Sequence, residues 1–210
     1  MLDARAGSPP TAAELLRRYS QCPSRDGLDQ VFHAWERWSA EVLESHLSYP
    51  VLSFFRSQHN NQSWLAALTT ILDATALVIV GIDGIPSERA KMTFAMARHA
   101  AVDLSQVVDA KYDPLSSDRL PGAELARLRK DLSDKNLHLR EGVEAEEKLA
   151  ALRAMYEPYV NALGRSLLIV LPLWLHSERK LDNWQVAPWD EAIAARSTTS
   201  VSSYHSVDHF

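Results

Sequence analysis

Hydrophobic residues recur at steps of three and four along much of the chain, the spacing that places side chains on one face of an α-helix. The clearest stripe predicts a long amphipathic helix over residues 27–47, with apolar positions at Leu28, Val31, Phe32, Trp35, Trp38, Val42, Leu43 and Leu47. Residues 64–80 are apolar on nearly every side, which predicts a helix that is buried all round. A further helix is predicted over residues 87–109. Because only a short link separates these last two helices, they should form an antiparallel hairpin.

Weaker patterns predict other elements of a helical bundle. Residues 11–14, Thr-Ala-Ala-Glu, form a capping box that predicts a short helix to about Tyr19. Residues 51–55 form a short apolar segment of about two helical turns. A charged helix is predicted over residues 123–132, followed by a polar, mobile connection over residues 133–142.

The last predicted helix runs over residues 143–167 and should kink at Pro158, since proline cannot donate the backbone hydrogen bond of a helix interior. The apolar run at residues 167–175 is predicted to continue it as a buried segment. Gly164 is the one glycine inside a helical pattern. It therefore marks residues 158–172 as the place for a bend or a close backbone contact.

Composition agrees with a helical fold. The chain has 7 glycines in 210 residues, about half the usual share, so it has few of the tight turns and bulges that sheets require. The predicted fold class is all-α, a helical bundle built around the buried hairpin of residues 64–80 and 87–109. The predicted organisation is a flexible leader over residues 1–10, one helical domain over residues 11–190 and a disordered Ser/Thr-rich tail over residues 191–210.

Charge, cysteine content and motifs exclude several functions. The formal net charge of -5 and the lack of a basic run argue against nucleic-acid binding. A single cysteine, Cys22, excludes an internal disulfide and zinc sites built on several cysteines. The chain contains no dinucleotide-binding or phosphate-binding glycine loop, no HExxH and no GxSxG. No catalytic residue, cofactor or metal is therefore predicted.

The apolar run of residues 64–82 is nearly long enough to cross a membrane. It carries Asp73 near its middle, where a carboxylate costs about 2.5–3.5 kcal/mol on insertion scales, and no basic residue flanks it. A buried core helix is the favoured interpretation, and a membrane span is the alternative.

Asp73 is the most informative polar residue, because a buried carboxylate must be paired or protonated. The hairpin brings the opposite helix alongside, so Arg98 or His99 is the predicted partner. An ion pair that locks the hairpin is the structural interpretation. A carboxyl with a shifted pKa, acting as an acid or base, is the functional one.

A second group of candidates consists of His46, His99 and Asp103. His46 is in step with the core stripe of its helix and is predicted to be a hydrogen-bonded core residue rather than a metal ligand. His99 and Asp103 are four residues apart on one helical face, an arrangement found around metal sites. The Glu-x-x-His pairs of di-metal bundles are absent. The alternative function is a metal-dependent or small-molecule-binding bundle, either an enzyme or a sensor, that joins these three residues to Asp73.

Residues 35–56, WERWSAEVLESHLSYPVLSFFR, and residues 93–107, TFAMARHAAVDLSQV, carry a family resemblance. Over about residues 9–175 the chain resembles the region that follows the pore in bacterial two-transmembrane potassium-channel proteins. No TVGYG-like filter is present, so this chain would not conduct ions alone. The resemblance implies a non-enzymatic cytosolic module, homo-oligomeric and tethered to the inner membrane through a channel domain. It implies no site residues.

Overall fold

The computed structural model describes residues 3–7, 9–20, 26–55, 63–112 and 118–176. The helices are α1 (Asp3–Ala6), α2 (Ala12–Ser20), α3 (Asp26–Ser48), α4 (Trp64–Gly81), α5 (Glu88–Val107), α6 (Gly122–Ser133), α7 (Val143–Ala154) and α8 (Glu157–Ser166), with a 3₁₀ helix at Pro50–Phe54 between α3 and α4. These ranges contain no strand. The predicted all-α bundle is confirmed. Cys22 and the predicted tail of residues 191–210 lie outside the described residues.

The centre of the bundle is α4, which packs against α2, α3, α5, α7 and α8. Within the described ranges α4 is the one helix that is long and apolar enough to cross a membrane, and 83% of it is buried inside the protein. The predicted hairpin is present, because α5 follows a short turn and packs along α4. The other side of α5 packs on α3.

The buried threonine hydroxyls of α4 are hydrogen-bonded within their own helix. The hydroxyls of Thr69, Thr70 and Thr75 donate to carbonyl oxygens four residues earlier at 2.7, 2.9 and 2.7 Å. Thr70 Oγ1 also lies 3.2 Å from the carbonyl oxygen of Pro10. Because each hydroxyl has an acceptor, α4 can be buried on all sides without leaving these donors unpaired.

The N-terminal residues differ from the flexible leader that was expected. Residues 3–6 form α1, and Ala6 has no exposed surface. The predicted cap of α2 is confirmed, since Thr11 Oγ1 accepts from Glu14 N at 3.2 Å. The Glu14 side chain pairs with Arg17 and Arg18, so it does not complete a capping box.

The connection over residues 133–142 is anchored rather than free. Leu137 and Leu139 are buried in the core, and Ile82 and Leu139 form an isolated antiparallel bridge. Asp83 N donates to His138 O at 3.1 Å, and Arg140 N donates to Gly81 O at 2.9 Å. Two leucines in an otherwise polar segment therefore tie the loop before α7 to the end of α4.

The predicted helix over residues 143–167 is two helices. It breaks at Met155 and Tyr156, and Pro158 lies in the first turn of α8, where its missing N–H costs no hydrogen bond. The segment that follows is also not continuously buried. Leu168 and Val170 are 77% and 91% exposed, whereas Trp174 is buried.

Gly164 confirms the predicted close contact. The chain turns back after α8, and Ile169 N donates to Gly164 O at 2.8 Å. A Cβ atom at position 164 would lie 3.0 Å from Ile169 O and 3.3 Å from the Leu171 side chain. Only a residue without a side chain fits there unless the returning segment moves.

Candidate functional site

The most buried charges of the described residues meet on α4. Asp73 has no exposed surface, and Arg119, from the segment before α6, approaches it with both terminal nitrogens. Arg119 Nη1 donates to Asp73 Oδ1 at 3.0 Å, and Nη2 donates to Oδ2 at 2.5 Å. This two-point geometry matches the planar guanidinium to the planar carboxylate. The Arg119 side chain is itself only 8% exposed.

The predicted partners of Asp73 are therefore corrected. Arg98 does not bond to Asp73. Its Nε donates to Met155 O at 3.1 Å, at the break between α7 and α8. His99 is 62% exposed at the side chain and lies 3.4 Å from Asp103 Oδ2. The prediction that Asp73 forms a buried ion pair holds, but the pair joins the hairpin to the C-terminal half of the fold instead of joining its two helices.

Tyr156 supplies a third donor to Asp73. It lies at the break between α7 and α8, is fully buried, and its hydroxyl donates to Asp73 Oδ1 at 2.6 Å. Its ring packs edge-on against Phe94 of α5, with centroids 5.8 Å apart. The break between the two helices thus places one hydroxyl at the α4 carboxylate and one aromatic ring against α5.

The ion pair continues outward as a chain of alternating charge. Arg119 Nη1 lies 3.4 Å from Glu157 Oε1, and Glu157 accepts from Arg153 Nε and Nη2 at 3.1 and 3.0 Å. Arg153 Nη2 also pairs with Asp118. We call these residues the Asp73 network: Asp73, Arg119, Tyr156, Glu157, Arg153 and Asp118. Each charge in it faces an opposite charge, which compensates for the loss of water.

The segment that follows α8 contacts the two arginines of the Asp73 network. Arg119 Nη2 donates to Pro172 O at 2.9 Å. The buried ring of Trp174 has the guanidinium carbons of Arg119 and Arg153 at 5.7 and 5.8 Å from its centroid, within the range of cation–π attraction. A pocket of about 200 Å³ opens beside Trp174, lined by Arg119, Leu120, Glu124, Arg127, Leu173, Trp174 and Leu175.

Protonation states follow from this packing. Burial raises the pKa of the Tyr156 hydroxyl well above its ordinary value, and the Asp73 carboxylate raises it further. Burial by itself would lower the pKa of Arg119, but pairing with Asp73 outweighs it, so the pKa is raised. Burial raises the pKa of Glu157, against the opposing effect of Arg153 and Arg119. At neutral pH, Tyr156 and Arg119 therefore both keep the protons that they donate to Asp73.

Sequence reasoning identified Asp73 but did not pair it with Arg119 or Tyr156. Arg119 lies on the segment before α6 and Tyr156 lies at an interhelical break, and helical spacing does not show that either side chain reaches Asp73. A weak signal was present in the neighbouring residues, since Arg119 is followed by Leu120 and Pro121, and Tyr156 lies after Met155 and two residues before Pro158. It could have suggested burial, but not which groups pair.

His46 occupies a separate corner, where α3 ends and α4 begins. Its Nδ1 lies 2.8 Å from Val42 O, and since a carbonyl only accepts, Nδ1 carries the proton. Its ring lies 5.1 Å from that of Trp64. Burial lowers the pKa of His46. Among the described residues, His46 Nε2, Ser53 Oγ and Trp64 Nε1 are buried without a hydrogen-bond partner. The prediction of a core histidine is confirmed.

The four residues of the metal or enzyme alternative do not converge. His46 contacts Trp64 at the start of α4, whereas Asp73 is nine residues further on, about 14 Å along the helix axis. His99 and Asp103 form an exposed pair on α5. No group of three or more His, Cys, Asp or Glu side chains in the described part of the chain could hold a metal ion.

Comparison of the chain with protein-family models, with curated proteins and with solved structures finds no match. Asp73 is fully enclosed by Arg119 and Tyr156, and its bonds connect α4 to the segment before α6 and to the α7–α8 break. Chemically, this arrangement fixes charges in place and gives a substrate no open face of the carboxylate.

Proposed function

We propose that this chain is a non-enzymatic helical module that assembles with, or regulates, a membrane protein of the potassium-channel type. The observation that carries the proposal is the closure of the Asp73 network. Asp73, the strongest catalytic candidate in the sequence, has no exposed surface. Its carboxylate oxygens accept hydrogen bonds from Arg119 and Tyr156 of the same fold. Groups used this way hold elements together and are not available to a substrate.

The resemblance of residues 35–107 to the region after a channel pore supplies the class of partner. The module would lie in the cytoplasm beside the inner membrane, with the pore on the same polypeptide or on a separate one. Because potassium pores assemble from several subunits, the module is proposed to be a homo-oligomer. The net charge of -5 makes nucleic acid an unfavourable partner.

The test is to express the tagged chain in its source organism, cross-link the cells and purify the chain from solubilised membranes. The proposal expects a membrane segment or protein with two spans flanking a TVGYG-like filter. In lipid vesicles this protein should conduct potassium at a rate that changes when the module is added or removed. A pore whose flux is the same in both cases, or a chain that brings down no pore, would contradict the proposal.

The alternative of a metal-dependent or small-molecule enzyme or sensor gains no support from the positions of its four residues, which lie in three separate places. Elemental analysis of the purified chain tests its metal form. A stoichiometric metal that is lost in His46→Ala and Asp73→Asn variants would favour this alternative over the channel module.

A further inference from the structure

The pocket beside Trp174 is lined by two side chains that each bury a donor without an acceptor. Arg119 uses its two terminal nitrogens on Asp73, and its Nε has no hydrogen-bond partner among the described residues. The indole Nε1 of Trp174 is unpaired in the same way. The Arg119 side chain is 8% exposed and Trp174 is 2% exposed. Because buried donors are nearly always paired, two of them at one pocket point to an acceptor from outside the fold.

The size and the remaining walls of the pocket suit a small apolar body. Leu120, Leu173 and Leu175 supply hydrocarbon to the lining, and the volume is about 200 Å³. An apolar cavity of about 150 Å³ accepts benzene, so this pocket has room for one six-membered ring with a polar substituent. Such a ring would displace water from the leucine side chains, which is favourable.

The chemistry of the unpaired atoms sets the polar group of a ligand. A guanidinium N–H and an indole N–H can donate but cannot accept, so the ligand must supply the acceptor. The two side chains pack together, since the guanidinium carbon of Arg119 lies 5.7 Å from the centroid of the Trp174 ring. One small molecule in the pocket can therefore lie against both. An ammonium group, which only donates, does not fit this requirement.

The charges around the pocket favour a neutral acceptor over an anion. At the rim, Arg127 Nη1 donates to Glu124 Oε1 at 2.7 Å, so these two lining charges cancel. Behind the pocket, the Asp73 network sets two arginines against three carboxylates. A further carboxylate would add to this negative excess. Even with Glu157 protonated the charges only balance, so no uncompensated positive charge is present to attract an anion.

We propose that the pocket beside Trp174 binds a small uncharged molecule that carries a carbonyl-type oxygen on a short hydrocarbon body. The oxygen accepts from Trp174 Nε1 and Arg119 Nε, and the hydrocarbon lies against the leucines. Because Arg119 also donates to Asp73 and to Pro172 O, a bound ligand stabilises the contact between α4 and the segment after α8. This site goes beyond the proposed function and does not depend on a membrane partner.

The first experiment titrates the full ¹⁵N-labelled chain with cyclohexanone and follows the indole N–H signals of its six tryptophans by NMR. The Trp174 signal is assigned by its loss in the Trp174→Phe variant. It should move downfield and saturate, with a dissociation constant in the millimolar range that is usual for so small a ligand. The other indole signals should stay in place. Cyclohexanecarboxylate and cyclohexylammonium, which keep the ring and change the charge, should bind at least about tenfold more weakly.

A second experiment tests the indole donor itself, with affinity measured from the NMR signals of the ligand. Trp174→Phe keeps an aromatic ring and removes the N–H, so the affinity for cyclohexanone should fall about 2–10-fold. Trp64→Phe is the matched control. It also removes a buried indole N–H without a partner among the described residues, but Trp64 does not line the pocket, so the affinity should not change. Unchanged helical circular dichroism confirms that each variant is folded, and if Trp174→Phe does not fold, the wild-type titration still decides.

Several outcomes would overturn the inference. A Trp174 signal that does not move with cyclohexanone would mean that water is a sufficient partner for both donors. Equal shifts at every indole signal would mean that binding is not specific to the pocket. Tighter binding of the carboxylate would make the pocket an anion site instead. Equal affinities of the Trp174→Phe and Trp64→Phe variants would remove the indole N–H from the site.

Discussion

Asp73 and Arg119 are 46 positions apart in the sequence and form a two-point ion pair with contacts of 3.0 and 2.5 Å inside the bundle. Asp73 is on the central helix, and Arg119 is on a short segment that α7, α8 and the chain after α8 surround. The pair therefore holds the C-terminal half of the fold on α4. Its two members are not equivalent, because among the described residues Arg119 has further acceptors in Glu157 and Pro172 O, whereas Asp73 has Tyr156 as its one further donor.

Replacing either member should destabilise the fold by unequal amounts. Removing one partner of a buried ion pair costs about 3–5 kcal/mol, since the other charge stays buried. The loss for Arg119→Met should lie near the upper end of this range, because the Asp73 carboxylate stays buried with the Tyr156 hydroxyl as its remaining donor. Asp73→Asn should lie near the lower end, because Arg119 keeps Glu157 and Pro172 O. The free energy of unfolding in urea measures both.

The double variant Asp73→Leu/Arg119→Met serves as the control for this asymmetry. With both charges gone, no uncompensated charge stays buried, so the loss should be much smaller than the sum of the two single losses. Additive losses, or a larger cost for Asp73→Asn than for Arg119→Met, would show that the pair is not the lock described here.

Tyr156→Phe should cost about 1.5–3 kcal/mol, the usual range for a hydrogen bond to a charged group. The change removes the hydroxyl that lies 2.6 Å from Asp73 Oδ1 and keeps the ring that packs on Phe94. Tyr159→Phe, three residues further on and part-buried, is the matched control and should change stability by less than about 0.5 kcal/mol. Equal effects of the two changes would mean that the bond to Asp73 contributes nothing.

Helical periodicity predicted the core hairpin well, because the hydrophobic residues of α4 and α5 themselves indicate which faces are buried. Residues 64–80 are apolar all round, and the observed helix is Trp64–Gly81. The same reasoning failed for the partner of Asp73. Arg98 was a predicted partner because it lies on the adjacent helix. The pairing depends instead on the orientation of each side chain about its helix axis and on the path of a distant loop. Local residue spacing gives no information on either.

Periodicity also failed where a helical pattern continues across a break. The apolar spacing continues through residues 143–167 and gives no sign that the helix breaks at Met155 and Tyr156. Tertiary contacts favour the break, since it brings the Tyr156 hydroxyl to Asp73. Glycine was the better local signal. The placement of Gly164 correctly indicated a close contact, because only a missing side chain permits it.

Gly164→Ala should destabilise the protein by about 1–3 kcal/mol, the typical cost of overpacking. The new Cβ would lie 3.0 Å from the backbone oxygen of Ile169, which cannot move without shifting the returning segment. Gly122→Ala is the control with opposite sign. Position 122 begins α6 with no atom within 4 Å, so alanine should stabilise by about 0.4–1 kcal/mol. Thermal unfolding followed by circular dichroism compares the two, and a neutral or stabilising Gly164→Ala would contradict the packing.

His46 should make stability fall at mildly acidic pH. Burial lowers its pKa in the folded state below the ordinary 6.5, so near neutral pH both states are uncharged and the full stability is present. As the pH falls below about 6.5, the unfolded state binds a proton that the folded state refuses, and the free energy of unfolding decreases. His46→Asn keeps a donor toward Val42 O and should show a smaller decrease between about pH 7.5 and about pH 5.5 in urea titrations. His33→Asn, at an exposed position of the same helix, should retain the wild-type decrease. If the His46→Asn variant loses as much stability as wild type over this range, the buried neutral imidazole is not the cause.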